Sequence, residues 1–586
     1  MRHNGEEFHI RPGRIRHGGG AKSKRFINQV LRAAQKAGHT APQAGNGKRT
    51  GIGRSSFGRG RLAFSRNRLF STSRRVVVKA RIARHHGQRF RSAPLAAHLA
   101  YLKRDGVTRD GGKGIMFNAE FDHADDAAFA ERGKDDRHHF RVIVSPEDAT
   151  EMTDLKAFTR DLAKQIEADL GTKLDWVAID HWNTDNPHVH LLVRGVDERG
   201  ADLVISRDYI SRGLRSRAEE LVAIELGPKP EHEITSALER EVNAERWTRL
   251  DAEIRINADE TGYIDLRPNF AGAGDLEIRR LMIGRLQHLE TMGLAIQAAP
   301  GEWTVRLEAE HSLRDLGMRG DIIKTMHRAF TEQGRDRDIS DYVIETNATP
   351  SPIIGRLIDK DLHNELTGEA YAVIDGTDGR AHYVRLHGVE AFEHAPPIGG
   401  IVELRQLGRA GGRQPSLILA ARSDHDLARQ VTALGATWLD YRLVEREPMP
   451  LSMSGFGQEV RDAMAARADY LTEQGLARRQ GQRIVFQRDL LDTLRRRELD
   501  AIGAEIAAKT GMPYAQAAAG EHVAGTYRQR LTLTSGRFAM IDDGMGFQLV
   551  PWSPSLEKQL NLNVTGIVKD NGGIAWSFGR KQGLGF

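Results

Sequence analysis

The chain has 586 residues, 40% of them apolar and 28% charged, enough for three or four folded domains of ordinary size. It contains no cysteine, which excludes disulfides and thiolate-built zinc sites and fits a reducing cytoplasm. The net charge is +6 but unevenly placed: residues 1–92 carry 23 Lys and Arg against only Glu6 and Glu7, so the rest of the chain is acidic. A basic end on an acidic body points to a polyanion partner, most simply nucleic acid. No uninterrupted apolar run approaches about 18 residues, so no membrane span is expected. The Arg- and Gly-rich start also lacks the apolar segment of a secretory signal.

Residues 1–91 read as a basic, largely disordered tail, with too few large apolar residues to offset the entropy of ordering. Only Phe26 to Ala37 shows helical periodicity. A folded α/β domain is expected over 92–235, with a mostly antiparallel central sheet. Its first element is a helix from Pro94 to Arg104, capped by Ser92 and stopped by Gly106. Leu95, Leu99 and Leu102 form its apolar stripe, and Tyr101 lies off that stripe. A Gly-rich loop (Gly111 to Gly114), a strand at His139–Val144 and a helix from about Thr153 to Leu170 follow. Two further strands are expected at Trp176–Asp180 and His188–Arg194.

Beyond this domain the chain repeats itself weakly. His288-Leu289-Glu290-Thr291-Met292-Gly293-Leu294-Ala295 resembles Tyr470-Leu471-Thr472-Glu473-Gln474-Gly475-Leu476-Ala477. Each follows an amphipathic helix and precedes a β-like piece. Helix, glycine stop, then short ribbon predicts winged-helix-like regions at 236–350 and 426–520. Residues 351–425 and 521–586 are dense in short strand patterns, such as Tyr371 to Gly376 and Arg537 to Asp542. They read as small β-barrel-like domains. The fold class is therefore multidomain α/β.

The chemistry concentrates in His181-Trp182-Asn183-Thr184-Asp185-Asn186-Pro187-His188-Val189-His190. His188 and His190 are two apart in a β-prone run, so both imidazoles leave the same face. Asn183, Asp185, Asn186 and Pro187 are turn formers, so the strands flanking them can pair as a hairpin that brings His181 alongside. Three neutral imidazoles converging from two strands suit a divalent cation with positions left open, and such an ion polarises a phosphoryl oxygen. Mg2+ or Mn2+ is expected, with Zn2+ the alternative. The helical His-Glu-x-x-His pattern of metalloproteases is absent, and so is the phosphate-binding loop of a helicase motor.

That run resembles motif III of plasmid relaxases whose two strand histidines flank one hydrophobic residue. The resemblance implies that His181, His188 and His190 hold the metal and that His181 also helps deprotonate the nucleophile. Many members carry aspartate where this chain has Asn183, so any base-orienting role rests on Asp185 or is absent. His98 to Gly106 is similar to motif I of the same family, which includes the border-nicking endonucleases of T-DNA transfer. There a tyrosine is the nucleophile, which implies that role for Tyr101, with Lys103 and Arg104 near flanking phosphates. Ser145 stands where the motif II serine contacts DNA. The overall layout is similar to RlxS-type relaxases.

The resemblance implies a site- and strand-specific DNA nicking enzyme of plasmid mobilization that forms a 5′-phosphotyrosine. Its DNA would be a single strand or hairpin at a transfer origin. Accessory relaxosome proteins and a type IV secretion coupling protein would be its partners. Its location would be the cytoplasm, with transfer to a recipient cell while bound to DNA. Two readings compete. A replication initiator or transposase with the same histidine pair would place its tyrosine after the cluster, which singles out Tyr209. A non-catalytic regulator would read DNA with the winged-helix-like repeats.

Overall fold

The computed structural model describes residues 69–84, 93–104, 106–184, 186–267, 274–345, 352–388, 391, 395–407, 416–481, 483–518, 520–569 and 573–577. The Phe26–Ala37 expectation and the residues Ser92, Asp105 and Asp185 lie outside them. The chain forms two compact units, one running to Met318 and the other starting at Arg319.

The first unit opens with an antiparallel sheet of β1 (Val76–Arg84), β2 (His138–Pro146), β3 (Trp176–His181) and β4 (His188–Arg194) in the order β1-β2-β4-β3. Folding thus begins before Ser92, because β1 lies inside the stretch read as tail. Alternation gives the sheet two faces. Phe140, Val142, Val144, Val189, Leu191 and Val193 pack against helices α3 (Leu155–Leu170) and α4 (Leu214–Leu226). Helix α3 starts where the Asp154 carboxylate accepts from the Lys156 N–H and ends at Gly171, whose φ of 67° is open to glycine at little cost. Phe158 and Leu162 are fully buried at its centre, so Phe158→Ala would cost about 3–5 kcal/mol.

On the opposite face, Val177, Ile179 and Leu192 are covered by Leu95, Leu99 and Leu102 of α1 (Ala93–Leu102) and Phe129 of α2 (Asp126–Arg132). The Leu stripe expected of α1 is its buried face. At the end of this face Arg194 binds Asp136 and Asp175, and Arg132 also holds Asp175. Burial pushes the Asp175 carboxyl up, but the two guanidiniums outweigh it and hold it below the usual range.

After this sheet the chain traverses a closely similar sequence of elements twice, with one short extra strand in the first pass. The first pass runs α5 (Glu231–Val242), α6 (Arg249–Asn257), β5 (Tyr263–Asp265), α7 (Gly274–Thr291), the ribbon β6 (Ala295–Ala299) and β7 (Glu302–Val305), and α8 (Ala309–Glu332). A sheet of β8 (Tyr342–Glu345), β9 (Ile353–Asn364), β10 (Glu369–Gly376), β11 (Ala381–Leu386), β12 (Ile401–Leu407) and β13 (Ser416–Ser423) follows.

The second pass runs α9 (Leu427–Val431), α10 (Trp438–Leu443), α11 (Gly455–Glu473), the ribbon β14 (Ala477–Gln480) and β15 (Arg483–Phe486), and α12 (Leu490–Thr510). Its sheet is β16 (Tyr514–Ala515), β17 (His522–Leu533), β18 (Gly536–Asp542), β19 (Phe547–Pro551), β20 (Asn563–Val568) and β21 (Ile574–Ser577). The strand orders are β13-β12-β9-β10-β11-β8 and β21-β20-β17-β18-β19-β16, which is one topology used twice. In both, the first strand pairs parallel with the fourth. Neither sheet closes, so the expected small barrels are open six-stranded sheets among the described residues.

The copies agree in detail. Thr248 and Asp251 form a capping box at the start of α6, and Thr437 and Asp440 form one at the start of α10. Each aspartate also holds a buried arginine from the following long helix, Arg285 Nε at 2.8 Å and Arg467 Nε at 2.8 Å. Both guanidiniums donate to backbone carbonyls as well: Val242, Ala244 and Arg246 in the first copy, Val431, Ala433 and Gly435 in the second. Full use of the donors is what makes a buried pair tolerable. Gly355 and Gly525 also correspond, since a Cβ on either would lie 2.3 Å from a carbonyl, that of Asp375 or Asp542.

Candidate metal and nicking site

The hairpin β3–β4 sets the site. Its register pairs His181 with His188 and Ile179 with His190, so all three imidazoles leave the face that carries α1. The rings converge, with centroids 5.4 Å apart for His181 and His188, 4.5 Å for His181 and His190, and 4.9 Å for His188 and His190. One nitrogen of each lies within 4.8 Å of one nitrogen of the others, and all three residues are buried.

Backbone carbonyls orient two of the rings. His181 Nε2 is 2.9 Å from the Leu102 carbonyl, and His188 Nδ1 is 3.0 Å from the Asn186 carbonyl. A carbonyl only accepts, so each of these nitrogens carries the proton and the other nitrogen carries the lone pair. For His188 that leaves Nε2, which sits 3.1 Å from His190 Nε2. Two ligands about 2.0–2.2 Å from a shared cation are separated by about this distance, so the donor set fits a divalent ion.

The carbonyl that holds His181 belongs to the residue after Tyr101. Tyr101 is half-buried in the last turn of α1, with the Arg104 guanidinium 4.6 Å from its ring centre. Lys103 makes an ion pair with Asp126 at 2.6 Å. Ser145 sits at the end of β2 and donates to the Pro187 carbonyl at 3.1 Å, one residue before His188. Asn183 is exposed in the turn, and Asp185 lies outside the described residues. Trp182 closes the turn, with its amide on the Val107 carbonyl, its indole N–H on Asp180 and the Arg109 guanidinium 4.1 Å from its ring centre.

Tyr209 is elsewhere. It packs on the α3–α4 side of the sheet, away from the imidazoles, and its hydroxyl donates to Asp169 at 2.7 Å. Burial and that carboxylate raise its pKa well above the ordinary phenol value. Arg217 completes the group on Asp169.

The sequence reading missed a cationic strip on the site face. Lys79 pairs with Ile143, which pairs with His190, so Lys79 shares the histidine face, as does Arg81 two residues on. Both are exposed, and Arg81 stands opposite Arg141. Burial and Arg81 push the Arg141 guanidinium down to about 10. The alternation of Val76, Val78 and Ala80 with Lys79 and Arg81 was the available signal, masked by the surrounding basic composition.

Among the described residues, the long helices preceding the two ribbons expose few basic side chains. Helix α7 exposes Leu276, Glu277, Arg280, Gln287, Glu290 and Thr291. Helix α11 exposes Arg461, Asp462, Ala465, Ala466, Asp469 and Glu473. Both faces are net acidic, which opposes contact with phosphates.

Residues 116–222 match the MobA/VirD2-like relaxase nuclease domain, which supports DNA nicking of the relaxase type. Residues 282–414 and 410–585 match a family described as protein of unknown function, DUF3363, together more than half of the chain. No curated protein and no solved structure matches. No helix among the described residues is long and apolar enough to cross a membrane.

Proposed function

The chain belongs to the DUF3363 family, and from its nuclease segment we propose that it cuts one DNA strand by tyrosine transesterification at a transfer origin. The observation that carries this is the hydrogen bond from His181 to the Leu102 carbonyl, which ties the imidazole cluster to the residue beside Tyr101. In this reading the phenol is the nucleophile. Its oxygen bonds to phosphorus as the bond from phosphorus to the 3′ oxygen breaks, leaving a 5′-phosphotyrosine and a free 3′-hydroxyl. The phenolic proton passes to an imidazole or to water.

His181, His188 and His190 would hold a divalent ion, Mg2+ or Mn2+ with Zn2+ the alternative, which supplies Lewis-acid stabilisation of the phosphoryl oxygen. Arg104 stabilises negative charge on the phenol oxygen, while Lys79 and Arg81 carry the backbone of the strand across the sheet. Ser145 keeps the approach to His188 in place and is available to the DNA beside the cut. One phosphoester replaces another, so the same residues can rejoin the strand. Relaxosome partners, a secretion coupling protein and travel with the DNA belong to this reading.

The replication-initiator order loses its nucleophile, because Tyr209 lies across the sheet from the imidazoles. The regulator reading loses its recognition helices to their acidic exposed faces.

The test is incubation with single-stranded oligonucleotides and Mg2+ or Mn2+, followed by a denaturing gel. A covalent adduct that EDTA prevents and Tyr101→Phe abolishes is the expected result. Adduct formation that survives Tyr101→Phe would overturn the assignment.

A further inference from the structure

The two copies of the repeated module have one topology and opposite ribbons. In β14–β15, Ala477 and Phe486 are the packed pair, so Arg478, Gln480, Arg483 and Val485 form the outward face, and all four are exposed. Arg479 lies on the same strand face as Ala477 and is exposed, paired with Asp469 on α11. Residues 477–488 contain four arginines (478, 479, 483 and 488) and no acid. In β6–β7 the same registers hold Ile296 for Arg478, Thr304 for Val485 and Glu302 for Arg483. One ribbon is therefore cationic and its counterpart neutral to acidic, the β6–β7 ribbon also carrying β5 on its β7 edge and a register shift after Gln297.

We propose that the β14–β15 ribbon is a second nucleic-acid contact of this chain, binding the phosphate backbone of duplex DNA through Arg478, Arg483 and Arg488. The inference rests on the nuclease reading for its choice of polyanion. Duplex is favoured over single strand because single-strand platforms interleave cations with aromatic rings, and the outward face of this ribbon has none. A two-stranded ribbon also has the width that a duplex groove admits. Contacts to phosphate fix position without reading sequence. The ribbon thus holds double-stranded DNA without reading its sequence.

The experiment uses the full chain and the variant Arg478→Gln/Arg483→Glu, which gives the ribbon a neutral side chain and the acid that the first copy carries. Binding of a fluorescent duplex and of a single-stranded oligonucleotide is followed by anisotropy in EDTA, across a salt series. Losing two phosphate contacts should reduce the slope of log K against log salt for duplex by about 1.8. At 0.15 M salt it should weaken duplex binding by roughly 30-fold. Single-strand affinity and oligonucleotide adduct yield should not change. Thermal unfolding matching wild type establishes that the variant folds.

An unchanged duplex slope overturns the proposal and leaves an acidic protein as the partner to seek. An equal loss on single strand overturns the choice of duplex. A wild-type chain that forms no adduct, yet loses duplex affinity in the variant, would sink the nuclease reading and leave the ribbon assignment standing.

Discussion

Replacing Arg467 with methionine keeps an unbranched stem, shorter by the guanidinium end, and removes its charge and all its donors. Arg467 and Asp440 are both 0% exposed. The substitution leaves the Asp440 carboxylate buried without its counter-charge, although the Thr437 amide and hydroxyl still reach it at 2.7 Å and 2.9 Å. Breaking a buried pair by removing one partner costs about 3–5 kcal/mol. The carbonyls of Val431, Ala433 and Gly435 lose a donor at the same time, which places the expected loss toward the upper end of that range. Adding Asp440→Asn removes the stranded charge while keeping a capping acceptor, and should recover about 2 kcal/mol. Amide exchange over residues 455–473 reads this locally, which matters because a chain of two units is not expected to unfold in one step. The Asp251–Arg285 pair has the same geometry, so Arg285→Met should cost as much in the first copy. A loss below about 1 kcal/mol at both positions would refute the idea that these nodes lock each copy's helices together.

Ser145→Ala removes the hydroxyl that holds the Pro187 carbonyl; it should cost about 1 kcal/mol of stability and weaken metal binding about tenfold by calorimetry. Tyr209→Phe should lose about 1 kcal/mol through Asp169 and leave adduct yield unchanged, whereas an inactive variant would restore the initiator order. His382 is held between Glu345 at 2.8 Å and Asp378 at 3.1 Å. Burial pulls its pKa down, but the two carboxylates outweigh it and keep it above the usual value. Its stabilisation is therefore complete below the ordinary histidine pKa of about 6.5 and is lost as pH rises through the raised one. Thermal unfolding of the second unit should weaken with rising pH across that window, and His382→Gln should flatten the trend.

The histidine hairpin was legible because strand period and turn formers act within ten residues, and its geometry needs no distant contact. Helix α3 was legible for similar reasons, with Asp154 before it and Gly171 after it. Strand β1 was hidden because Lys79, Arg81 and Arg84 on exposed positions resemble the basic stretch around them, while its pairing to β2 is a contact across some sixty residues. The internal repeat surfaced only at the helix ends, where Gly293 and Gly475 both adopt positive φ. Its extension through both sheets rests on strand order and a few positions such as Gly355 and Gly525, which local patterning does not weigh. Barrels were expected because short strands and glycines look alike whether or not the first and last strands meet. The divergence of the two ribbons became visible only once their registers were aligned in space.

Peptide mapping of the covalent DNA adduct by mass spectrometry addresses the nucleophile directly. The nucleotide should sit on the peptide containing Tyr101, and only when His181, His188 and His190 are intact. A nucleotide found on Tyr209, or on any other side chain, would contradict the account.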